Sequence, residues 1–125
     1  MNQGREIFDH QVTQLNETAI RVFAVDEPGA GGANHKYEIW IKRKNHTEIV
    51  EINFQHGPLR EAGVNGLTDQ ALVAIVLDRL RGFQKGEFSC RENAIALTNF
   101  ETGLLWTGKR AADRRKRGVE GTNQK

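Results

Sequence analysis

Cysteine and long apolar runs are scarce in this sequence. The single cysteine, Cys90, excludes an intrachain disulfide and a thiolate zinc cluster, and it fits a reducing compartment. No stretch approaches the roughly 18 apolar residues of a membrane-spanning helix, and the first ten residues lack the apolar core of a signal peptide. From these absences we expect a protein of the cytoplasm that has no membrane partner and no metal site.

Catalytic patterns are lacking as well. The histidines are scattered and have neither the H-x-x-x-H nor the H-E-x-x-H spacing: His10, His35, His46 and His56. There is no nucleophile elbow and no P-loop. The glycine-rich stretch 26–35 is not followed by a predicted helix, which makes it a poor phosphate loop. We therefore expect a protein that is not an enzyme, with no catalytic residue and no cofactor.

Positive charge is present, and it is concentrated in one place. The net charge of the 125-residue chain is +2, yet residues 109–117 contain six Lys or Arg against one Asp, so the rest of the chain is net negative. Such a local excess indicates a site or a patch rather than a generally basic protein. A solvated helix end, a nucleic-acid patch and an anion-binding pocket all match this cluster.

The alternation of apolar and polar residues predicts an antiparallel sheet in the N-terminal half. Its three strands cover residues 18–25, 36–43 and 48–54. Asn45 and His46 form a turn between the last two strands. Residues 1–17 are polar, and we expect them to be poorly fixed apart from a helical turn around Ile7 and Phe8. The stretch 26–35 is expected to be a flexible connection.

The C-terminal half is predicted to form two helices. Thr68 is a suitable N-cap for a helix within 67–83, after a turn-rich loop over 56–66. A capping box from Ser89 to Glu92 predicts the start of a second helix, which Gly118 ends. The fold class is therefore α+β. A small N-terminal antiparallel sheet region, residues 1–56, precedes a C-terminal helical-hairpin region, residues 57–125, in one compact domain.

Gly103 and Gly108 lie inside the second helix, where each costs roughly 1 kcal/mol relative to alanine. Such glycines allow another backbone or a ligand to come close. We expect this close contact to be helix–helix packing, either within the hairpin or in an oligomer.

The basic cluster carries an aromatic neighbour on one helical face. Arg110, Arg114 and Arg117 are spaced i, i+4, i+7, and Trp106 lies one turn before Arg110. An aromatic surface beside guanidinium groups suits a nucleotide, since the base can stack and the phosphates can accept paired hydrogen bonds. A solvated helix end favoured by the helix dipole is the competing interpretation.

Phe83 and Asn93 flank the break between the two helices, and an asparagine can both donate to and accept from a base edge. Asn93 and Arg110 lie 17 residues apart, or about 25 Å along one helix. One subunit therefore cannot readily bring both to a small ligand. If both bind it, the pocket must be shared by antiparallel helices of two subunits.

Two ordered motifs carry a family resemblance: RGFQ-x-G-x-F-x-CRENA-x-ALT, and LLW-x-x-KR-x-x-DR-x-x-RGVEGT. They resemble the phage Thoeris anti-defence sponges of the first described type, whose helical hairpin is shared with the anti-CBASS sponges. The similarity is strongest over about residues 57–122. A departure is "ETGLLWTG", which places glycines where a stronger helix former would be expected.

The resemblance implies a function. Members of the family bind glycocyclic ADP-ribose, the signal made by TIR-domain enzymes of the Thoeris system, and sequester it without cleavage. This happens in the cytoplasm of the infected bacterial host. Some members also hold cyclic di- or trinucleotides of CBASS signalling at separate sites. They assemble as hexamers built from dimers whose subunits share each pocket.

The resemblance also implies residue roles. Phe83 would stack on the adenine and Asn93 would hydrogen-bond the ligand. Arg110 and Arg114 of the other subunit would meet the diphosphate, with Trp106 and Arg91 as neighbours. A second, cyclic-nucleotide site would involve Arg60 and Asn65. The alternative from the residues alone is a nucleic-acid-binding protein that uses the basic C-terminal helix.

Overall fold

The structure is a computed structural model that describes residues 4–120 and residue 122. Residue contacts divide the chain into two compact units. The first comprises the residues up to Gly57 together with Val64–Leu67, and the second comprises Pro58–Gly63 and the residues from Thr68 onward. The first unit contains the sheet and the second contains the long helices, so the α+β class is confirmed.

The sheet has four antiparallel strands that neighbour one another in chain order. They are β1 (Arg5–Ile7), β2 (Ile20–Ala24), β3 (Lys36–Lys42) and β4 (Thr47–Asn53). The predicted strands 36–43 and 48–54 are confirmed almost to the residue. The turn at Asn45 and His46 is also confirmed, with the Arg43 N–H donating to the His46 carbonyl at 2.8 Å.

The expectation of a poorly fixed start is wrong for the described residues 4–17. Ile7 lies in β1 and pairs with Val22, where a helical turn was expected. Across the same strand pair, Arg21 donates two hydrogen bonds to the Glu6 carboxylate. The sequence signal was missed because three residues are too few to show alternation.

A short helix, α1 (Gln14–Ala19), covers the start of the strand predicted over 18–25. The Thr13 hydroxyl caps it by accepting from the Asn16 N–H at 3.1 Å, and the Thr18 hydroxyl donates to the Gln14 carbonyl. These local hydrogen bonds outweigh the β propensity of Thr18. The strand therefore begins only at Ile20.

The most deeply buried side chain of the sheet is Phe23, which is 1% exposed. It packs against Trp40, with ring centroids 5.0 Å apart, and it pairs with Glu38 across the β2–β3 ladder. Trp40 and Glu38 therefore share a face with Phe23, opposite the face of Tyr37, Ile39 and Ile41. The alternation was predicted correctly, but the face that holds the buried phenylalanine is the one with the charged residues.

The glycine-rich stretch 26–35 is not the flexible connection that was expected. The Asp26 carboxylate accepts hydrogen bonds from the His35 N–H and the Asn34 carboxamide, and the His35 ring stacks on His56 with centroids 4.2 Å apart. Burial raises the pKa of Asp26, but the hydrogen bonds from His35 and its neighbours outweigh burial and lower it. Side-chain hydrogen bonds thus stabilise a segment whose glycine-rich composition predicted flexibility.

The second unit has α2 (Leu59–Ala62), α3 (Asp69–Gln84) and α4 (Arg91–Lys116). The short α2 lies inside the stretch predicted to be a loop. The Thr68 cap is confirmed, since its hydroxyl accepts from the Ala71 N–H at 3.1 Å. Gly118 follows α4 with a φ of 76°, as a helix-ending glycine should. None of the helices in the described part of the chain is long and apolar enough to cross a membrane.

The capping box at Ser89 is a wrong prediction. The N-cap of α4 is Cys90, whose sulfur accepts from the Asn93 N–H at 3.4 Å. The Gln84 carboxamide holds the Cys90 backbone on both sides, accepting from its N–H and donating to its carbonyl at 3.1 Å each. This clasp from the end of α3 fixes Cys90 in the extended conformation that an N-cap requires.

Helices α3 and α4 form the predicted hairpin, with Leu77 buried at 2% exposure. Arg81 of α3 pairs with Glu101 of α4 at 3.0 Å, an ion pair that connects the two helices. A Cβ built on Gly103 or Gly108 would meet no described atom within 4 Å. Packing inside the hairpin therefore does not explain these two glycines; contact in an oligomer stays a prediction.

Candidate functional site

Helix α4 carries candidate residues at both of its ends. Its 26 residues run without a break from Arg91 to Lys116. At 1.5 Å per residue, Asn93 and Arg110 are about 25 Å apart along the axis. The structure therefore forms two separate clusters in this unit, one at the hairpin tip and one at the basic end.

An open groove of about 540 Å³ lies at the basic end. It brings together three of the predicted site residues, Trp106, Arg110 and Arg114. The other residues that line it are Lys109, Asp113, Lys116 and Arg117. Lys109 and Asp113 were missed as lining residues, although they follow Trp106 at i+3 and i+7, which is the spacing that places residues on one face.

The basic groups of this end differ in how they are engaged. Lys109 pairs with Asp113 at 3.0 Å within the helix, and Arg115 pairs with Glu120 at 3.1 Å. In residues 4–120 and 122, no hydrogen bond or ion pair engages the Arg110 guanidinium. Trp106, one turn away, is 65% exposed. An uncompensated guanidinium beside an open indole surface can receive an anionic group attached to a ring.

Arg114 is engaged differently from Arg110. Its Nη2 donates to the Val119 carbonyl at 3.1 Å and to the Thr122 carbonyl at 3.0 Å. The side chain therefore joins the groove wall to the turn that follows α4. Spacing along the helix could place Arg114 on the face but could not reveal these bonds.

The hairpin tip holds Phe83, Asn93 and Arg91. Phe83 is 41% exposed, and the Arg79 guanidinium lies 5.5 Å from the centre of its ring. The Asn93 N–H is used by the Cys90 cap, whereas no group in the described part of the chain hydrogen-bonds its carboxamide. Arg91 is the first residue of α4 and is exposed. An open aromatic ring and an unengaged amide at a helix start are groups that can recognise a base or a ribose.

The two residues of the tentative second site are placed in different units. Arg60 is an exposed residue of α2 in the second unit. Asn65 belongs to the first unit, where its carboxamide accepts from the His56 N–H at 2.8 Å and donates to the His56 carbonyl at 2.7 Å. Asn65 thus fastens the chain after β4, and its role toward a ligand stays a prediction.

Comparison with known proteins identifies the hairpin. The family model for the Acb2/Tad1 hairpin domain matches residues 46–112, more than half of the chain. The chain belongs to the Acb2/Tad1 hairpin family. A relative named Thoeris anti-defense 1, from Bacillus phage SBSphiJ7, is 44% identical over 97 residues, which are 78% of this chain and 66% of the relative. The chain thus spans just under two thirds of that relative's length.

The resemblance noted in the sequence is therefore confirmed at the level of the Acb2/Tad1 family. Most of the candidate residues lie inside the matched hairpin segment, including Phe83, Asn93 and Arg110. Arg114 lies beyond it, since the match ends at residue 112. The bonds between Arg114 and the turn after α4 thus fall outside the segment that defines the Acb2/Tad1 hairpin.

Proposed function

We propose that this protein is a phage anti-defence sponge that binds and sequesters glycocyclic ADP-ribose, the signal made by TIR enzymes of the Thoeris system. Its place of action would be the cytoplasm of the infected bacterial host. Membership of the Acb2/Tad1 hairpin family and the name of the phage relative support this. The observation that carries it is that each end of the hairpin has an exposed aromatic ring and a polar side chain that no described residue engages: Phe83 and Asn93 at the tip, and Trp106 and Arg110 at the basic end.

The chemistry of each end suits one part of such a ligand. At the hairpin tip, Phe83 would stack on the adenine, and the Asn93 carboxamide would donate to and accept from a base edge or a ribose. At the basic end, Arg110 and Arg114 would meet the diphosphate. The Arg110 guanidinium would present paired N–H donors to phosphate oxygens, and Arg114, whose Nη2 is engaged by the turn after α4, would add its positive charge. Trp106 and Arg91 would be neighbouring residues of the pocket, Trp106 at the basic end and Arg91 at the hairpin tip.

The separation of about 25 Å between the two ends along α4 requires two subunits. In the proposed pocket, Phe83 and Asn93 come from one subunit, and Arg110 and Arg114 come from an antiparallel α4 of the other. Gly103 follows the same helical face as Trp106 and Arg110, and no described atom lies within 4 Å of a Cβ built there. That face has room for the approach of a second helix. Dimers of this kind would assemble further into a hexamer.

Retention without cleavage is part of the proposal. Opening a cyclic nucleotide requires a positioned general acid or base. The carboxylate of the basic groove, Asp113, is held by Lys109 at 3.0 Å. This pair offsets part of the positive charge of the groove, and we propose no catalytic role for it.

Cyclic di- or trinucleotides of CBASS signalling are proposed as further ligands, with Arg60 and Asn65 as the candidate residues. Asn65 would contribute to cyclic-nucleotide binding by holding the backbone of His56 through two hydrogen bonds, and Arg60 would contribute its exposed positive charge. Titration of Arg60→Ala with a cyclic trinucleotide tests this, since binding there should fall while binding of glycocyclic ADP-ribose stays unchanged.

Calorimetric titration with glycocyclic ADP-ribose, followed by heat release and mass spectrometry of the supernatant, tests the main proposal. We expect tight binding and recovery of the intact molecule. Asn93→Ala should abolish binding without unfolding the protein, whereas Asn99→Ala, an exposed asparagine of the same helix, should leave binding unchanged. A cleaved product in the supernatant would show an enzyme instead.

The basic cluster itself favours a second candidate function, nucleic-acid binding by residues 109–117. A polyanion on this surface would bind with a steep dependence on salt and with little discrimination among sequences. Retention of DNA or RNA that falls steeply with salt, in a protein that fails to bind glycocyclic ADP-ribose, would establish this alternative.

A further inference from the structure

A turn after α4 holds one of the arginines of the basic groove. The Arg114 Nη2 donates to the carbonyls of Val119 and Thr122, at 3.1 and 3.0 Å. The Arg114 side chain is half-buried, whereas Arg110, on the same wall of the groove, is exposed and unengaged by the described residues. The two arginines of the wall are therefore not equivalent.

The turn has a defined backbone that depends on Gly118. Gly118 has a φ of 76°, in the left-handed region that disfavours other residues. Its N–H donates to the Arg115 carbonyl, and the Val119 N–H donates to the Arg114 carbonyl, both at 3.0 Å. This pair of bonds is a Schellman motif. The ion pair between Arg115 and Glu120 adds a side-chain connection to the same turn.

We propose that this turn supports the binding site: the Val119 and Thr122 carbonyls act as positioning groups for the Arg114 guanidinium. A guanidinium held by two carbonyls has lost its rotamer freedom before the ligand arrives, so less freedom is lost on binding. The ligand class is a nucleotide that carries a diphosphate, and this step rests on the proposed function. The turn thus sets affinity without contacting the ligand.

Amide hydrogen exchange of the ligand-free protein tests the positioning by itself. The Thr122 N–H donates to the Val119 carbonyl at 3.1 Å, which makes its exchange a report on the turn. Arg114→Ala should speed this exchange by about tenfold through local opening. Arg110→Ala removes the same charge from the same wall but no bond to the turn, and should leave the exchange as it is. Equal rates in Arg114→Ala and the unaltered protein would overturn the proposal, whatever the ligand.

Binding of glycocyclic ADP-ribose tests the consequence. Gly118→Ala strains the turn but removes none of the side chains that line the groove. It should weaken binding by roughly five- to tenfold. Gly118→Asn should restore it, since asparagine tolerates the left-handed region. Gly31→Ala, which introduces a side chain at another left-handed glycine but in the first unit, is the matched control. Adding Gly118→Ala to Arg114→Ala should cost nothing more, because both changes act through one guanidinium.

Three results would count against the turn. Full affinity in Gly118→Ala, or no recovery in Gly118→Asn, shows that the turn does not position the site. Additive losses in the double variant show that the turn acts on something other than Arg114. If the unaltered protein fails to bind glycocyclic ADP-ribose, the proposed function is wrong and the turn's role in binding falls with it, while the exchange rates still decide whether Arg114 holds the turn.

Discussion

Replacement of Phe83 by alanine should change both the stability of the hairpin and its affinity for glycocyclic ADP-ribose, and the two effects can be measured separately. The ring is 41% exposed, so its truncation removes only part of the apolar contact that a buried phenylalanine makes. A fully buried Phe→Ala change costs about 3–5 kcal/mol, so we expect about 2 kcal/mol here. The Arg79 guanidinium over the ring contributes about 0.5–1 kcal/mol of that figure as an exposed cation–π contact. The hairpin should therefore remain folded.

The same truncation should also weaken binding, and this loss is measured separately from the change in stability. Stacking of a base on an aromatic side chain is worth roughly 1–3 kcal/mol by alanine substitution. At 1.4 kcal/mol for each factor of ten, that corresponds to a dissociation constant for glycocyclic ADP-ribose raised by about 5- to 150-fold. Calorimetric titration measures it, with urea unfolding of the same sample as the check on stability.

Two further variants sharpen the test of stacking. Phe88, another phenylalanine close to the hairpin turn, is 69% exposed. Phe88→Ala should leave binding unchanged. Phe83→Leu keeps apolar volume but removes the ring face, so it should bind nearly as weakly as the alanine variant. Binding of Phe83→Leu at the wild-type level would refute the stacking argument and leave only apolar contact at this position.

Arg110→Ala should lose at least tenfold in affinity for glycocyclic ADP-ribose, because a charge-assisted hydrogen bond contributes about 1.5–3 kcal/mol. Lys116 lines the same groove, but its ammonium does not present the paired N–H donors of a guanidinium, so Lys116→Ala should lose less than about threefold; equal losses would show that generic charge binds the ligand. No described atom lies within 4 Å of a methyl group added at Gly108, so Gly108→Ala tests the expected oligomer contact: it should lower the midpoint of urea unfolding if a second helix packs there, whereas a gain of about 1 kcal/mol, as for an exposed helical glycine, would contradict that contact. Hydrogen bonds from Arg21 lower the pKa of Glu6, so the folded state binds fewer protons than the unfolded state, and the stability from this pair is lost as pH falls below about 4.3. Glu6→Gln should reduce the loss of stability between pH 6 and pH 3, and an unchanged pH profile would contradict this reasoning.

The fold was predictable where a local period runs long enough. The sixteen residues of α3 and the seven of β3 each show their period several times, and both elements were predicted nearly to the residue. The three residues of β1 show no period at all. The N-cap of α4 moved from Ser89 to Cys90 because the Gln84 side chain clasps Cys90 from another helix. A contact between elements of this kind leaves no trace in local spacing.

The same distinction applies to the candidate site. Helical spacing alone predicted that Trp106, Arg110 and Arg114 share a wall, and the groove confirms it. The bonds from Arg114 to Val119 and Thr122 were not predictable, because they depend on how the chain reverses after Gly118. Residues that share a face follow from the geometry of a single helix. The engagement of their charges depends on the turns and partners that surround the helix.

The strongest consequence of the long, unbroken α4 is that two inactive variants should restore each other. If each pocket takes Asn93 from one subunit and Arg110 from the other, a dimer of Asn93→Ala with Arg110→Ala has one intact pocket and one doubly altered pocket. Random exchange makes half of the dimers mixed, so about a quarter of all pockets should bind glycocyclic ADP-ribose at wild-type affinity. The stoichiometry of calorimetric titration measures this fraction in the two variants refolded together. The control is the same two proteins mixed without subunit exchange. A pocket built within a single subunit would give no recovery, since every subunit in the mixture lacks one of the two groups.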